Sequence, residues 1–379
     1  MCAVTVLAGL AVASVVASTV YWLFALGVIA RFRRRPRPVV HDLPPVSVLK
    51  PLCGAHPGLY ESLRSFCDQD YPEVQIVFGV CDPADPAIEV VQRLMHEFRA
   101  RNLKLVVNER GVSINPKVSN LVNLSESAEH DILVIADSDI RVGPDYLRTI
   151  VAPLASRSAD LVTCLYRAGG SARGWGALQR AFIDDWFFPA ALVSATGTMR
   201  HAFGATLAFR RERLEAIGGF GAVGAYLADD YMLGARIAES GGRVVLSPYI
   251  VETRVAEPSF RALFFHELRW SRTMRAVRPV GYFLAAVTYG FVWSALAVAL
   301  SGAAWAALLA AAGHVSARLT VHVAARRTLG TRETGPSAWL LPVRDLFSLV
   351  LWAASFTGRT VRWGRHRFVV DAWGRLARR

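Results

Sequence analysis

The stretch DILVIADSDIRV, residues 131–142, carries the strongest structural and chemical signal in the chain. Residues 132–136 are all apolar, and a short apolar run of this kind is typical of a strand buried inside a sheet. The run ends in Asp137-Ser138-Asp139. Because alternate residues of an extended chain point the same way, both carboxylates can converge beyond the carboxyl end of the strand, where open α/β sheets bind ligands.

Carboxylate oxygens are suitable ligands for Mg²⁺ or Mn²⁺, and magnesium is commonly held by one or two carboxylates together with substrate phosphates. We therefore expect Asp137 and Asp139 to hold a divalent metal. An aspartate pair with this spacing, standing alone, is more simply explained as a solvated loop or a helix cap. Its position directly after a buried strand favours the metal site.

Similar apolar runs recur on both sides of this strand, at VSVLK (46–50), QIVFGV (75–80), KLVV (104–107) and LVTCL (161–165). Helix-like stretches separate the runs at 46–50, 75–80, 104–107 and 132–136. They carry apolar residues at the three- and four-residue spacing typical of helices, at 57–68, 86–100 and 117–129. Pro57 and Pro86 suit the first turns of two of these helices. The alternation predicts an α/β domain, residues 46–257, with buried parallel strands and right-handed crossovers.

Two more aspartates follow the run at 75–80. Asp82 lies just beyond its carboxyl end, where it could face a nucleotide base or ribose. Asp85 precedes Pro86 and is more simply explained as the N-cap of the next helix.

A further acidic pair opens the segment LADDYMLGARIAESGG, residues 227–242, at the start of a predicted helix. The simplest role of Asp229 and Asp230 is favourable negative charge at a helix N-terminus. A functional role requires one of the two to face the cleft as a base.

Residues 258–280 alternate apolar side chains with arginines at helical spacing, which predicts an amphipathic helix on a membrane surface. Within it, HELRW (266–270) places Arg269 beside Trp270. Arginine can bind phosphate bidentately, and tryptophan can pack beside a sugar or an acceptor. Standing alone, such a pair near a membrane is more simply an interfacial anchor.

The composition also indicates a membrane protein. Of the 379 residues, 53% are hydrophobic and 19% are charged, and the formal net charge is +13. The basic residues cluster beside the apolar segments, so an anionic membrane surface is a better partner for them than nucleic acid. The cysteines form no CxxC pair, which argues against a zinc site or a disulfide framework.

Residues 3–30 contain no charged side chain and are long enough to cross a bilayer. The run is longer than the apolar region of a signal peptide, so we expect an uncleaved anchor. The arginines of the linker at 31–45 then place the following domain on the cytoplasmic side, with the amino terminus outside.

Two apolar segments, 281–300 and 303–323, are expected to form a hairpin of membrane spans, and 338–357 is a third candidate that contains Arg344 and Asp345. Three crossings would put the basic C-terminal residues outside, against the positive-inside rule. Two would keep them inside, with the third candidate re-entrant or lying flat. The predicted organisation is an anchor (1–30), a basic linker (31–45), a catalytic domain (46–257), an amphipathic helix (258–280), C-terminal transmembrane helices (281–357) and a basic tail (358–379).

In chain order the chemistry-bearing residues form a series of Asp82, Asp137-Ser-Asp139, Asp229-Asp230 and His-Glu-Leu-Arg-Trp. This resembles the D, DxD, D, (Q/R)xxRW series of membrane-bound, family-2-like processive and lipid glycosyltransferases. A closer resemblance, to ceramide glucosyltransferase-like enzymes, rests on INPKVSNL (114–121), ADSDIRVGPDYL (136–147), ADDYM (228–232) and ELRW (267–270). Further segments resemble the hopanoid-associated branch of that family, namely LVTCLYR (161–167), FGATLAFRR (203–211), VLSPYIVET (245–253) and HELRWSRTMRAVRPVGY (266–282).

The resemblance implies a Rossmann-like GT-A fold and a UDP-sugar donor. It implies the following roles: Asp82 near the uridine, Asp137 and Asp139 around the metal and the diphosphate, Asp230 as catalytic base, and Arg269 with Trp270 at the diphosphate and acceptor end. Lys117 is a further donor-site candidate. His266 stands where glutamine is typical of processive enzymes, which disfavours a polymer synthase and suits the transfer of a single sugar.

The leading hypothesis from the sequence is an inverting, metal-dependent transferase in a bacterial inner membrane. It would move N-acetylglucosamine from UDP-N-acetylglucosamine to bacteriohopanetetrol, a membrane lipid, at the cytoplasmic face. Alternatives are a ceramide glucosyltransferase using UDP-glucose and, after it, a polysaccharide synthase. A non-catalytic membrane scaffold would have no need for acidic clusters at the ends of several elements.

Overall fold

The computed structural model describes residues 2–38, 42–170, 174–255, 257–331, 337–363 and 366–378. The α-helices in these ranges are α1 (Cys2–Arg33), α2 (Leu59–Cys67), α3 (Ala87–Glu97), α4 (Pro116–Ser125), α5 (Tyr146–Ala155), α6 (Trp175–Phe182), α7 (Phe188–Ser194), α8 (Arg211–Ala216), α9 (Asp229–Glu239), α10 (Phe260–Val277), α11 (Pro279–Leu284), α12 (Gly290–Leu300), α13 (Trp305–Leu329) and α14 (Leu340–Ser355). The strands are β1 (Val46–Pro51), β2 (Val74–Val80), β3 (Asn102–Val107), β4 (Ile132–Ile135), β5 (Ile140–Arg141), β6 (Leu161–Gly169), β7 (Leu207–Arg210), β8 (Val244–Arg254), β9 (Thr360–Trp363), β10 (His366–Val370) and β11 (Leu376–Arg378).

Strands β1 to β8 form one mixed sheet in the order β3-β2-β1-β4-β7-β6-β8-β5. The first four strands pair in parallel, with Val46 of β1 opposite Val74 of β2 on one side and Ile132 of β4 on the other. Strand β4, which precedes Asp137, therefore lies in the interior of the sheet. Its burial on both faces explains its continuous apolar sequence.

The α/β fold and the five expected strands are confirmed, but the strand at 104–107 is a partly exposed edge strand rather than a buried one, and the sheet is not wholly parallel. Antiparallel β7 lies between β4 and β6, and β6 pairs in parallel with β8 instead. The sequence analysis missed β7 and β8. Strand β7 is only LAFR, too short for a recognisable period, and β8 carries polar residues and a proline among its apolar ones.

The three predicted helices correspond to α2, α3 and α4, with shifted ends. Pro57 lies before α2, which follows Gly58 at a positive φ of 82°, and Pro86 is the N-cap of α3 rather than a residue of its first turn. The helix expected at 117–129 ends at Ser125, and Asn115 caps its start by accepting from the backbone N–H groups of Lys117 and Val118.

Alternate residues of β4 enter two separate cores. Ile132 and Val134 pack with α2, α3 and α5 on one face, whereas Leu133 and Ile135 pack with α4, α7 and α9 on the other. This second core also contains Trp22 of α1 and Val321 of α13. One face of the catalytic sheet is thus joined directly to the long apolar helices.

Among the described residues, α1 and α13 are long and apolar enough to cross a membrane. The segments Pro279–Thr288 and Gly290–Leu300 pass the same test only as a pair, which bends by 56°. The span expected at 303–323 is α13, which begins at Trp305 and continues to Leu329.

The third candidate span, 338–357, forms α14, whose 16 residues reach about 24 Å. It is too short to cross roughly 30 Å of hydrocarbon. The helix packs on α10 instead, with Arg344 and Asp345 buried. Its length favours the alternative in which the segment does not cross, so the third crossing is not supported.

Residues 358–379, which were predicted from their charge alone to be a basic tail, include a small antiparallel sheet, β11-β10-β9. It packs on the catalytic domain, where the Leu376 N–H donates to the Ala225 carbonyl at 2.7 Å and the Leu227 N–H donates to the Gly374 carbonyl at 3.2 Å. The sequence analysis had no signal for this contact, because its two sides are about 150 residues apart in the chain.

Candidate active site

A buried lysine on the neighbouring strand β1 holds the turn that follows β4. Lys50, at the end of β1, donates from Nζ to the Asp137 carbonyl oxygen at 2.6 Å, and its ammonium group lies 3.9 Å from the Phe66 ring centroid. Burial lowers the pKa of Lys50 to about 7, while attraction to Asp137 and Asp139 opposes that shift. Lys50 was not predicted as a site residue. The sequence does show it as a lysine at the end of one apolar run, and the acidic turn follows another such run.

Asp139 is held from the other side of the sheet. Thr253 of β8 donates to its Oδ2 at 2.6 Å, next to the β5–β8 ladder in which Ile140 faces Thr253. Burial, reinforced by repulsion from Asp137, raises the pKa of Asp139. A cation placed here would oppose both causes.

Lys117 connects the acidic turn to the start of α9. Its Nζ lies 2.7 Å from Asp137 Oδ1 and 3.5 Å from Asp229 Oδ2. Burial disfavours the charged ammonium, but attraction to Asp137, Asp229 and Asp230 outweighs it and raises the pKa of Lys117. Lysine and aspartates from three separate elements therefore form one group.

The position of Lys117 depends on its neighbour Asn115. Besides capping α4, the Asn115 side chain donates to the Tyr226 carbonyl at 2.8 Å and to Asp229 Oδ1 at 3.5 Å. The same loop at residues 224–227 contacts the C-terminal sheet. The lysine and the acidic start of α9 are thus braced together by one asparagine.

Asp229 and Asp230 occupy the first turn of α9, and neither side chain makes the N-cap hydrogen bond, since the cap residue is Ala228. Asp229 is buried, whereas Asp230 is half-buried and lies against Gly204. A side chain at Gly204 would meet Asp230 Oδ2, because a Cβ there would lie 2.6 Å from that oxygen. Burial and repulsion from Asp229 raise the pKa of Asp230.

We call Lys117, Asp137, Asp139, Asp229 and Asp230 the strand-end cluster. Arg269, half-buried on α10, lies near enough to interact electrostatically with it. Burial lowers the pKa of Arg269, and attraction to Asp137 and Asp230 opposes that shift. The structure thus brings together all but two of the predicted site residues, and Trp270 follows Arg269 on α10.

Trp270 packs among aromatic rings, with its ring centroid 5.8 Å from Phe182 and 4.3 Å from His266. His266 is itself paired through Nδ1 with Glu257 Oε1 at 2.5 Å. Asp82 is the second predicted residue that lies apart from the strand-end cluster. It is exposed at the end of β2 and accepts from the Ala84 N–H at 2.8 Å.

Asp85 has the structural role expected for it, although one residue outside the cap position. Its carboxylate accepts from the Ala87 N–H at 2.8 Å and from the Gly54 N–H at 2.8 and 3.0 Å. It ties the start of α3 to the loop after β1.

A second buried charge group, which the sequence analysis also missed, lies on the far side of α10. Glu267 accepts both arms of the Arg344 guanidinium, at 3.0 and 2.5 Å. We call this pair the helix junction. It joins α10 to α14, and each side chain is 2% exposed.

The donor atoms of the strand-end cluster fit a divalent metal only in part. Asp137 and Asp139 supply hard oxygens, and the Asp137 side chain is 38% exposed. Among the described residues, no group of three or more histidine, cysteine, aspartate or glutamate side chains could hold a metal ion. Such a pair suits Mg²⁺ or Mn²⁺ shared with substrate phosphates rather than a metal held by protein ligands alone.

Comparison with known proteins shows the family of this chain. The family model described as glycosyl transferase family 21 matches residues 9–376. The chain belongs to glycosyl transferase family 21. The match includes every residue of the strand-end cluster, α10 and the helix junction.

The relatives of this family 21 member include ceramide glucosyltransferase 3 of Caenorhabditis elegans, 26% identical over 243 residues, which are 63% of this chain and 52% of the relative. Ceramide glucosyltransferase 1 of the same organism is 26% identical over 242 residues, 62% of this chain and 51% of the relative. The chain spans about half the length of these two relatives.

Among solved structures, the family 21 member is similar to the mannosyltransferase PcManGT from Pyrobaculum calidifontis, in complex with GDP-Man and Mn²⁺. The TM-score is 0.56 at 23% identity, covering 92% of this chain and 98% of that chain. This similarity bears on the fold alone, and it confirms the GT-A-like architecture.

Proposed function

We propose that this protein is an inverting glycosyltransferase that moves one sugar from a nucleotide-sugar donor to a hydroxyl of a membrane lipid. The observation that carries the proposal is the strand-end cluster. It gathers carboxylates and a lysine at the carboxyl ends of buried strands, opposite Arg269, in a domain packed directly on apolar helices.

Asp230 is the proposed catalytic base. Burial and the neighbouring Asp229 raise its pKa, so its carboxylate is a stronger base than an exposed aspartate. It would take the proton of the acceptor hydroxyl while the acceptor oxygen bonds to the anomeric carbon and the bond to the nucleotide breaks. Direct displacement of this kind inverts the anomeric carbon.

Lys117 and Arg269 are the proposed diphosphate-facing cations, and Asp137 with Asp139 would hold a divalent metal. A bound metal would neutralise charge on the departing diphosphate. The complex of PcManGT with GDP-Man and Mn²⁺ supports a divalent metal. Asp82, at the end of β2 and outside the cluster, would contact the nucleoside, and Trp270 would line the acceptor side.

For the substrates we propose UDP-N-acetylglucosamine and bacteriohopanetetrol, supported by the hopanoid-branch segments at 161–167, 203–211 and 245–253. Ceramide with UDP-glucose is the second candidate, and the similarity to the two ceramide glucosyltransferases of Caenorhabditis elegans favours it. His266 at the start of HELRW supports transfer of a single sugar in both cases.

We propose a bacterial inner-membrane protein with its catalytic domain in the cytoplasm and its amino terminus outside. The packing of α1 on α12 and α13 supports an uncleaved anchor. The hydrogen bond from Leu376 to Ala225 requires the C-terminal sheet and the catalytic domain to share one side, which supports an even number of crossings after residue 257.

The proposed substrates are tested by mass spectrometry of lipids made by the purified full chain. UDP-N-acetylglucosamine and UDP-glucose are each supplied with bacteriohopanetetrol and with ceramide. We expect one N-acetylglucosamine on bacteriohopanetetrol. A glucosylceramide product alone would overturn the hopanoid assignment, and no glycolipid from any pair would overturn the proposed lipid acceptors.

A further inference from the structure

A π-helical turn, Ile183–Phe187, interrupts the helical run between α6 and α7. Turns of this kind are rare and often occur at functional sites, because the extra residue redirects neighbouring side chains. Here the turn ends in two consecutive aromatic residues, Trp186 and Phe187, which point toward different parts of the molecule.

Phe187 faces the catalytic domain. Its ring stacks on Tyr166 of β6 with a centroid distance of 4.7 Å. Phe187 also packs edge-on against Phe203, with a centroid distance of 6.0 Å, and the next residue, Gly204, lies against Asp230 of the strand-end cluster. The charges of Asp230, Asp139 and Asp137 add to burial in raising the pKa of the Tyr166 phenol.

Trp186 faces the membrane segments. Its Nε1 donates to Thr288 Oγ1 at 2.9 Å, and its ring centroid lies 6.1 Å from that of Tyr289. Thr288 ends the first segment of the bent pair Pro279–Thr288 and Gly290–Leu300, and Tyr289 lies at the break between the two segments. Trp22 of α1 also donates to the Thr288 carbonyl, at 3.0 Å.

Phe182 joins the two directions. Its ring stacks on Trp186 at 5.3 Å and on Trp270 at 5.8 Å. We call Tyr166, Phe182, Trp186, Phe187 and Trp270 the aromatic path. All five residues are half-buried, so each keeps some accessible surface along the line of ring contacts from the strand-end cluster to Tyr289.

The charged residues of the same turn are directed elsewhere. Asp184 is buried and accepts from the Ala168 N–H at 2.9 Å, and Asp185 is buried and pairs with His322 of α13 at 2.6 Å. The turn therefore places its carboxylates in the protein interior and leaves aromatic rings partly accessible, which suits an apolar ligand.

We propose that the aromatic path binds the apolar body of the acceptor, a membrane lipid whose hydroxyl end reaches Asp230. The proposal rests on the proposed function. One end of the path adjoins the carboxylates and the other adjoins the apolar segments, so a lipid that stays partly in the bilayer must cross this surface to react. Flat or extended hydrocarbon is the ligand class that stacked rings accommodate best.

The test uses Trp186→Leu and Phe187→Leu in the full chain, with Trp175→Leu as matched control. Trp175 lies on the same helical run but packs at its other end, 5.1 Å from Phe260. KM is measured for bacteriohopanetetrol and for ceramide in detergent micelles, and UDP affinity is measured by calorimetry. We expect each path variant to raise the lipid KM roughly 5- to 30-fold, as loss of one buried ring contact allows, with UDP affinity and the control unchanged.

An unchanged lipid KM in both path variants would overturn the proposal. An equal rise in the control, or an equal loss of UDP affinity, would also overturn it, because the rings would then act on the fold or the donor. Wild-type protein that glycosylates neither lipid would instead contradict the proposed function.

A second measurement needs no variant. A long-chain alcohol carrying a photoreactive diazirine on its chain is irradiated with the wild-type protein in micelles, and the labelled peptides are mapped. We expect label on residues 182–187 that excess bacteriohopanetetrol or ceramide suppresses. Label confined to other residues, or label that neither lipid suppresses, would contradict the proposal.

Discussion

The strand-end cluster and the helix junction both contain buried or half-buried charged side chains, but they differ in the balance between carboxylates and cations. At the helix junction one carboxylate meets one guanidinium through two bonds, and each side chain is 2% exposed. In the strand-end cluster Lys117 is shared between Asp137 and Asp229, while Asp137 stays 38% exposed and burial raises the pKa of Asp139 and Asp230.

We interpret this difference as that between a structural pair and the proposed reactive site. The helix junction is closed, and its two charges satisfy each other. The strand-end cluster holds more carboxylates than nearby cations, so it is electrostatically incomplete and suited to a further cation and to proton transfer. Substitutions in the two groups should therefore change different properties, the junction affecting stability and the cluster affecting chemistry.

The largest effect is expected from Asp230→Asn, which removes the proposed base while keeping the side-chain shape. Loss of a general base lowers the rate by about 10²- to 10⁴-fold. UDP-sugar affinity and thermal stability should be retained. The two readouts are calorimetry for the donor and lipid mass spectrometry for transfer.

Asp229→Asn is the comparison for that experiment and should be much milder. Equal, mild losses at both positions would favour a purely helix-terminal role, worth roughly 0.3 to 1 kcal/mol of stability. A severe loss of activity only in Asp229→Asn would identify Asp229, rather than Asp230, as the base.

Glu267→Gln should reduce stability rather than chemistry directly, because it leaves the Arg344 charge buried without its partner. Breaking a buried pair in this way typically lowers the free energy of unfolding by about 3 to 5 kcal/mol. The matched control is Glu97→Gln, which breaks the exposed Arg64–Glu97 pair and should change it by about 0 to 1 kcal/mol. Thermal unfolding in detergent provides the measurement, and equal shifts for the two variants would contradict a closed junction.

Asp139→Ala should lower turnover by about 10²-fold, because one of the proposed hard oxygen ligands is lost. Metal-dependent UDP binding should weaken in parallel, and Asp137→Ala should behave similarly. Asp131→Ala is the control, since Asp131 is exposed at the opposite end of the same strand. Full activity of the Asp139 variant, or of wild type in excess chelator, would reject the metal site.

The smallest effect is a shift in pH dependence. Attraction to Lys117 lowers the pKa of Asp230, against burial and Asp229, which raise it. Lys117→Met should therefore raise that pKa further and move the acid limb of kcat to higher pH, because the base works only when deprotonated. Lys104→Met, an exposed lysine on β3, is the control. An acid limb that stays in place or moves to lower pH would contradict this electrostatic account.

The parts of the fold that were predictable are those with a local sequence signal. Strands β1, β2 and β4 are buried on both faces and therefore appear as continuous apolar runs, and Asp137 and Asp139 directly follow one of them. The four-residue β7 has too few residues to show a period, so the antiparallel part of the sheet could not be predicted.

The missed contacts have no local pattern at all. Glu267 and Arg344 are 77 residues apart, and only packing of α10 on α14 brings them together. The same holds for the contact of Leu376 with Ala225. The resemblance to known enzymes indicated Lys117 as a donor-site candidate. It did not predict that Lys117 lies between Asp137 and Asp229.

The most direct test of the central claim is the anomeric configuration of the product. UDP-N-acetylglucosamine, in which the sugar is α-linked, is incubated with wild-type protein, Mn²⁺ and bacteriohopanetetrol or ceramide, and the purified glycolipid is examined by NMR. Direct displacement with Asp230 as base predicts one sugar in β linkage. An α-linked product or a chain of several sugars would contradict the account. The absence of any glycolipid from both acceptors, with UDP-N-acetylglucosamine and with UDP-glucose as donor, would also contradict it.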